Sequence, residues 1–430
     1  MPAPRNGCVG RAGVSSEVYM DVKMMEAHVS RRPVQATIDL SAVEANARSI
    51  KNLIGENCRL AAVVKANGYG LGAVQVALAA LRGGASYLAV ACVDEGIELR
   101  LAHIVAPVLV MGYVPPEEAA SAVQYGLAVT LHGLQTAQAL EQAASTQEHG
   151  DRTVPVHIKV DTGLGRFGCV PNDVVLLARQ IGSLPNLRLE GLMTHFAEAD
   201  APDLAFTEQQ VGVYDKVIRD CAAAGINFDL VHAANSAAAI GLPEARFDMV
   251  RAGIALSGHL PSEHLRSKVK LEPVLSITST VARAFDVCAG DTVGYGRTWV
   301  ALQDSVVGLV PLGYADGYVR ALSNRAQVLV RGRRCPVIGR VSMDQIAIDL
   351  TSVDQAHEGD EVVLIGRQGG ESITADDLAS WAGTISYEIL CGLAPRLPRV
   401  YLRDGKVVGH RDLLGGTLAP SEHPHEVGTV

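Results

Sequence analysis

Between residues 60 and 256 one pattern recurs eight times: a short apolar, β-rich run followed by a stretch long enough for a helix. The runs are Leu60–Ala66, Tyr87–Cys92, Pro107–Gly112, Leu127–His132, Val154–Val160, Leu187–Phe196, Leu230–Ser236 and Met249–Leu256. Their spacing of about 20 to 40 residues leaves room for one helix each. Helical character is clear in Val43–Ile54, Asp173–Ile181 and Phe206–Ala224. Eight strand–helix units over about 200 residues is the count of a closed (β/α)8 barrel, although a doubly wound open sheet gives a similar one.

After Pro261 the pattern changes. Val274–Val287, Val293–Tyr295, Val306–Tyr314, Gln327–Val330, Val337–Leu350 and Glu361–Ile365 are strand-like and separated by turns such as Ala289-Gly290-Asp291. Only Ala375–Trp381 has helical periodicity there. The expected α/β organisation is a polar, disordered N-terminal extension over 1–33 and a barrel over 34–270. A mainly β domain over 271–400 and a tail over 401–430 complete it. Within the extension Met20, Met24 or Met25 could be the true start.

Composition removes several classes of function. A net charge of −9 argues against nucleic acid, which calls for a concentrated basic surface; the short cluster Arg331, Arg333 and Arg334 reads as a solvated loop. Eight cysteines form no CxxC or CxxH pair, so neither a metal site nor a disulfide framework is expected. No apolar stretch reaches the roughly 18–20 residues of a membrane span. Glu17, Asp21, Lys23 and Glu26 interrupt the sole candidate for a signal-peptide core, and a cytoplasmic protein is expected.

Lys65 ends the first barrel run, where catalytic groups of such barrels gather. A lysine emerging from an apolar strand is partly desolvated, which lowers its pKa and makes it a nucleophile. A lone lysine at a strand end is more often a solvated edge. Here Lys65-Ala-Asn-Gly-Tyr69-Gly-Leu-Gly72 follows it with three glycines and a phenol, which suits close approach to a phosphate-bearing ligand.

Lys65–Gly72 resembles the cofactor-lysine motif of the bacterial alanine racemase family. The likeness continues in order through Asp161–Gly168, Thr194–Ala197, His232–Ser236, Val250–Ile254, Val293–Thr298, Gly313–Gly317, Ser342–Gln345 and Ile385–Glu388, covering about Val34 to Val400. The resemblance implies a pyridoxal 5'-phosphate-dependent fold of barrel plus β domain. Lys65 would hold the cofactor and serve as the base on one face of the substrate Cα. Tyr295 would serve on the other face, its ionisation helped by His195 together with Arg251 and His232.

Arg251 matches the residue facing the pyridine nitrogen; because arginine keeps its proton, the ring would be a restrained electron sink. A structural arginine paired with Asp248 is the plainer alternative. Tyr69, Ser236, Gly253, Ile254 and Tyr387 would hold the phosphate. Arg166 would bind the substrate carboxylate, and Met343 would make a second contact through its backbone. Lys159 falls where many relatives carry a carbamylated lysine; a salt bridge would serve as well. Tyr314, Asp316 and Arg320 match the access channel, unless Ala315–Gly317 is an ordinary turn. Tyr295, Tyr314 and Met343 come from the partner subunit in this family, so a homodimer with composite sites is implied, supplying D-alanine for peptidoglycan.

Gly68 and Leu71 depart from the family's common alanine and histidine, and Ser342 is a variant. The rivals are a racemase for serine or basic amino acids, a decarboxylase of the same fold, and a non-catalytic pyridoxal-phosphate-binding protein. The decarboxylases carry a Gly-Gly-Gly phosphate loop and a carboxylate at the pyridine nitrogen, both missing here. The binding proteins lack the β domain that supplies Tyr295.

Overall fold

The computed structural model describes residues 32–146 and 153–418. The expected N-terminal extension, up to residue 31, lies outside the described residues, as do residues 419–430. Two β structures organise the rest. β1 (Gln35–Asp39) precedes the eight parallel strands β2 (Arg59–Val63), β3 (Tyr87–Val90), β4 (Val108–Val110), β5 (Ala128–Leu131), β6 (Val154–Lys159), β7 (Leu187–Met193), β8 (Leu230–His232) and β9 (Met249–Ala252).

Each of β3–β9 falls within one of the eight apolar runs, and β2 begins one residue before the first. They are ordered β8-β7-β6-β5-β4-β3-β2-β9. The remaining seam is bridged by Asp248 N–H to Val231 O and Arg251 N–H to Ala234 O, both 3.0 Å. The barrel is thus closed, and the open-sheet alternative is set aside.

The β domain contains β10 (Leu275–Thr280), β11 (Arg283–Val287), β12 (Thr292–Val293), β13 (Trp299–Val300), β14 (Ser305–Val310), β15 (Gln327–Val330), β16 (Arg333–Ile338) and β17 (Ile346–Asp349). It continues through β18 (Glu361–Gln368), β19 (Glu371–Ile373), β20 (Arg399–Arg403), β21 (Lys406–Asp412) and β22 (Gly415–Leu418). One large sheet runs β11-β14-β17-β16-β15-β18-β10-β1-β20-β21-β22, while β12 and β13 form a separate ribbon.

Three expectations are corrected here. Residues 35–39 belong to the β domain's sheet, between β10 and β20, and not to the barrel. Their alternating burial is that of a strand with one covered face. Residues 401–418 are not a tail. Asp404 and Gly405 both have positive φ, the geometry of a two-residue hairpin turn, and the sheet continues through β21 and β22. The arginine cluster is also a hairpin: Arg331 and Gly332 turn with positive φ, and Arg334 pairs with Glu371.

The chain leaves the β domain through α1 (Leu40–Ile54), whose first turn is capped by Asp39 accepting from Ser41 N–H and Ala42 N–H. A further short helix, Ser386–Cys391, was not legible as one. No helix among the described residues is long and apolar enough to cross a membrane.

Ending the chain at Val400 should therefore remove structure. We expect its thermal unfolding midpoint to fall well below that of a chain ended at Pro420, which keeps β20 to β22. Equal midpoints would contradict the sheet order given above.

Candidate active site

Alternation along the barrel strands decides what faces inward. Ala61, Tyr87, Leu109, Ala128, Met193, Leu230 and Met249 form one buried cluster inside the barrel. Two residues further along their strands come Thr130, His195, His232 and Arg251, and Lys65 lies four beyond Ala61. The polar residues thus gather at the C-terminal mouth of an apolar barrel, where barrel chemistry is placed.

Lys65 opens a strained turn. Ala66, Asn67, Gly68, Tyr69 and Gly70 all have positive φ, between 52° and 78°, forming about one turn of left-handed helix. For non-glycine residues such backbone costs roughly 1–2 kcal/mol each, so surrounding groups must fix it. The Glu95 carboxylate accepts from Ala66 N–H at 2.6 Å and from Ala91 N–H at 2.7 Å, tying the turn to the end of β3. Asn67 Oδ1 accepts from Ala73 N–H at 3.2 Å. Burial, followed by the charge of Arg166, lowers the Lys65 pKa.

Gly70 and Gly72 of this segment face the β domain. A Cβ at Gly70 would lie 2.1 Å from Leu390 O, and one at Gly72 2.3 Å from the Tyr401 hydroxyl. They allow the turn to pack against the β domain.

Arg251 is buried and has no carboxylate partner among the described residues. Its guanidinium meets His232 Nδ1 at 2.8 Å and His195 Nδ1 at 3.1 Å, and donates to Thr194 O and Ala233 O, each at 2.9 Å. Asp248 instead accepts from Val231 N–H, so the structural Arg251–Asp248 pair is ruled out. A guanidinium only donates; both Nδ1 atoms therefore accept, and each neutral imidazole carries its proton on Nε2. Burial and the Arg251 charge push His195 and His232 well below the usual histidine range, which keeps them neutral. Burial lowers Arg251 itself to about 10, still charged at neutral pH.

His232 Nε2 continues to His157 Nδ1 at 2.8 Å, and His157 Nε2 to Glu190 Oε2 at 2.9 Å. Sequence reasoning missed His157 and Glu190. The available signal was a histidine and a glutamate inside otherwise apolar runs.

Further cations surround the mouth. Lys159 is buried and has no carboxylate within salt-bridge distance among the described residues. Its ammonium lies 5.2 Å from the Phe167 ring centroid, and burial, then Arg251 and Arg166, lowers its pKa to about 8. The expected alternative of a Lys159 salt bridge is thus not found. Arg166 stands on a loop whose Gly163, Gly165 and Arg166 N–H groups bind the Asp161 carboxylate at 3.0–3.1 Å. Although burial opposes it, these donors lower the Asp161 pKa.

Tyr69, Ser236, Gly253 and Tyr387 converge as well. Ser236 Oγ accepts from Gly253 N–H at 3.0 Å, and the Tyr69 and Tyr387 rings are 6.0 Å apart. A Cβ at Gly253 would lie 2.3 Å from the Tyr69 hydroxyl. Ile254 begins the short turn that follows. Three hydroxyls with backbone N–H donors make a cradle for an anion.

Tyr295, Tyr314 and Met343 are not brought to this cluster within one chain. They are 72%, 41% and 52% exposed on the β domain. The Met343 carbonyl already accepts from Ala315 N–H and Arg396, leaving its N–H for any other contact. Asp316 is not a channel residue: it is fully buried, doubly bonded to Arg396 and paired with Arg32.

Residues 38–261 match the family model for the alanine racemase N-terminal domain, and residues 274–401 that for its C-terminal domain. An alanine racemase of Symbiobacterium thermophilum is 48% identical over 370 residues, covering 86% of this chain and 97% of the relative. One from Desulfovibrio desulfuricans is 43% identical, with coverage of 86% and 98%. The crystal structure of alanine racemase from Bacillus anthracis with bound L-Ala-P superposes with a TM-score of 0.84 at 37% identity, over 90% of this chain and 99% of that one.

Gly70→Ala should destabilise the fold by about 2 kcal/mol or more, since a Cβ meets both a positive φ and a carbonyl; denaturant unfolding measures it. The neutral buried histidines give a second expectation. Their folded pKa values lie below that of the unfolded chain, so the stability they contribute is present above about pH 6.5 and declines as pH falls. The melting temperature should drop between pH 7 and 5, and His232→Asn should flatten that slope.

Proposed function

The chain belongs to the alanine racemase family and interconverts L- and D-alanine, and we propose that it does so with two bases, Lys65 of one subunit and Tyr295 of its partner. The observation carrying this reading is a desolvated lysine amine at the same barrel mouth as a buried guanidinium that has only donors to offer. The residues fit pyridoxal 5'-phosphate: a free lysine amine, the cradle at Gly253 that a Cβ would fill, and a cationic mouth suited to anions. Tyr69, Ser236, Tyr387 and the N–H groups of Gly253 and Ile254 would hold the phosphate, with His195 and His232 supporting the site through Arg251. When bound, the cofactor supplies the electron sink that acidifies the substrate's Cα–H.

Lys65 takes or returns the proton at one face of Cα, and burial together with the charge of Arg166 shifts its amine toward the unprotonated form a base needs. Tyr295 acts at the opposite face, because a single base cannot serve both sides of one carbon efficiently. His195, with Nδ1 occupied by Arg251, presents Nε2–H, which would stabilise the Tyr295 phenolate rather than take its proton. Arg251, which can only donate, would hold the ring nitrogen of the bound cofactor without giving it a proton. Arg166 binds the substrate carboxylate, Met343 N–H and Tyr314 border the substrate from the partner, and Lys159 would carry a carbamate that supplies the missing counter-charge beside Arg166. The enzyme would work as a cytoplasmic homodimer, providing D-alanine for the cell wall.

Incubation with L-alanine in heavy water should give D-alanine with deuterium at Cα; exchange without loss of chirality would sink the two-base reading. Lys65→Ala should abolish covalent cofactor absorbance and racemisation, whereas Tyr295→Phe should keep the absorbance and lose turnover. Mixing these two inactive proteins tests the composite site. A mixed dimer has one site with both bases intact, so activity should recover to about a quarter of wild type for random pairing in a twofold-symmetric dimer. No recovery after subunit exchange would place both bases in one chain.

A further inference from the structure

The polar line that begins at Arg251 does not stop at His232. It passes through His157 to Glu190, whose Oε2 also accepts from the Tyr87 hydroxyl at 2.8 Å and whose Oε1 accepts from Arg188 at 2.7 Å. Arg188 in turn pairs with Asp229. The direction of every bond is fixed from both ends. Arg251 can only donate, so His232 Nδ1 accepts and its Nε2–H donates to His157 Nδ1. His157 then keeps its proton on Nε2 and gives it to a carboxylate that can only accept. Both imidazoles are fully buried.

Three donors hold Glu190 ionised. Despite burial, the bonds from His157, Arg188 and Tyr87 bring its carboxyl to about 2. A carboxylate behind an imidazole fixes the tautomer and raises the basicity of the far nitrogen. Here the effect passes through two rings and ends on the guanidinium. The sequence makes room for this: a Cβ at Gly191 would lie 2.1 Å from His157 Nδ1.

We propose that Glu190 and His157 are positioning residues for the racemisation, acting through His232 to hold the Arg251 guanidinium in place. Neither residue touches substrate or cofactor. The inference rests on the role proposed above for Arg251. It predicts that Glu190 works only by way of His157.

The test uses the dimeric holoenzyme with nitrogen-15-labelled histidine, the resonances being assigned by single-site replacement. In the wild type His157 and His232 should both be neutral with the proton on Nε2. Glu190→Gln, which keeps the shape and removes the charge, should move the Nε2–H resonance of His232 upfield although His157 lies between them. It should lower kcat for L-alanine about tenfold or more, as loss of an outer-shell partner commonly does, with KM changed less than about twofold. In a His157→Leu background, Glu190→Gln should add no further loss, because the two are links of one chain.

A His232 proton on Nδ1 in the wild type would overturn the proposal, and that measurement needs no variant to fold. So would a kcat within about twofold of wild type in folded Glu190→Gln, or additive losses in the double variant. Absence of alanine turnover in the wild type would sink the racemase reading instead, since the imidazole resonances are read independently of turnover.

Discussion

A buried cation with no carboxylate partner among the described residues sits at the barrel mouth, and the polar interior is arranged around it. Burying an unpaired charge costs several kcal/mol unless its donors are satisfied. Arg251 meets that condition with two carbonyls and two imidazoles, drawn from the ends of β7 and β8. Only a closed barrel brings those ends beside β9. The seam itself is bridged at this residue, since Arg251 N–H bonds Ala234 O. Closure of the fold and placement of the guanidinium are therefore one event.

The second constraint is the left-handed turn after Lys65, which the barrel alone does not hold. Arg399 of β20, buried, donates to Gly70 O at 2.8 Å and also to Leu393 O and Leu397 O. Arg411 of β21 approaches Asn67. The segment that positions the lysine is thus braced by the strands nearest the chain's C-terminus. This explains why β1, at the other end, lies between β10 and β20: it stitches the sheet to the barrel through α1, so the brace and the lysine share one frame.

Much of this was legible because the signals are periodic. Eight apolar runs gave eight strands, and Met249 to Arg251 or Leu230 to His232 could be read as steps of two along one face. The glycines after Lys65 were visible, but the β-domain surface that Gly70 and Gly72 meet was not, because the partner residues lie more than 300 positions away. His157 and Glu190 each looked like an isolated polar exception until β6 and β7 stood side by side. Asp316 was misread because an exposed Ala-Asp-Gly turn and a buried carboxylate with two arginine partners have the same local sequence. The strands beyond residue 400 were missed although Asp404-Gly405 is a hairpin signal, because the surrounding segment is polar on its open face.

Lys65, Lys159 and Arg251 at the strand ends and Arg166 on its loop line the mouth from the barrel side, and on the proposed reading the base for the opposite face of a substrate comes from above. Tyr295 is carried on a turn between Gly294 and Gly296, both with positive φ, and is largely exposed on the β domain of its own chain. A phenol in water gains nothing from a neutral imidazole; its ionisation is helped only where water is displaced and the Nε2–H of His195 is within reach. On the proposed reading both conditions are created by docking a second subunit onto the mouth. Assembly would then supply the second base and its dry surroundings together, and a lone subunit would keep a site able to hold cofactor and substrate but equipped to exchange the proton on one face alone.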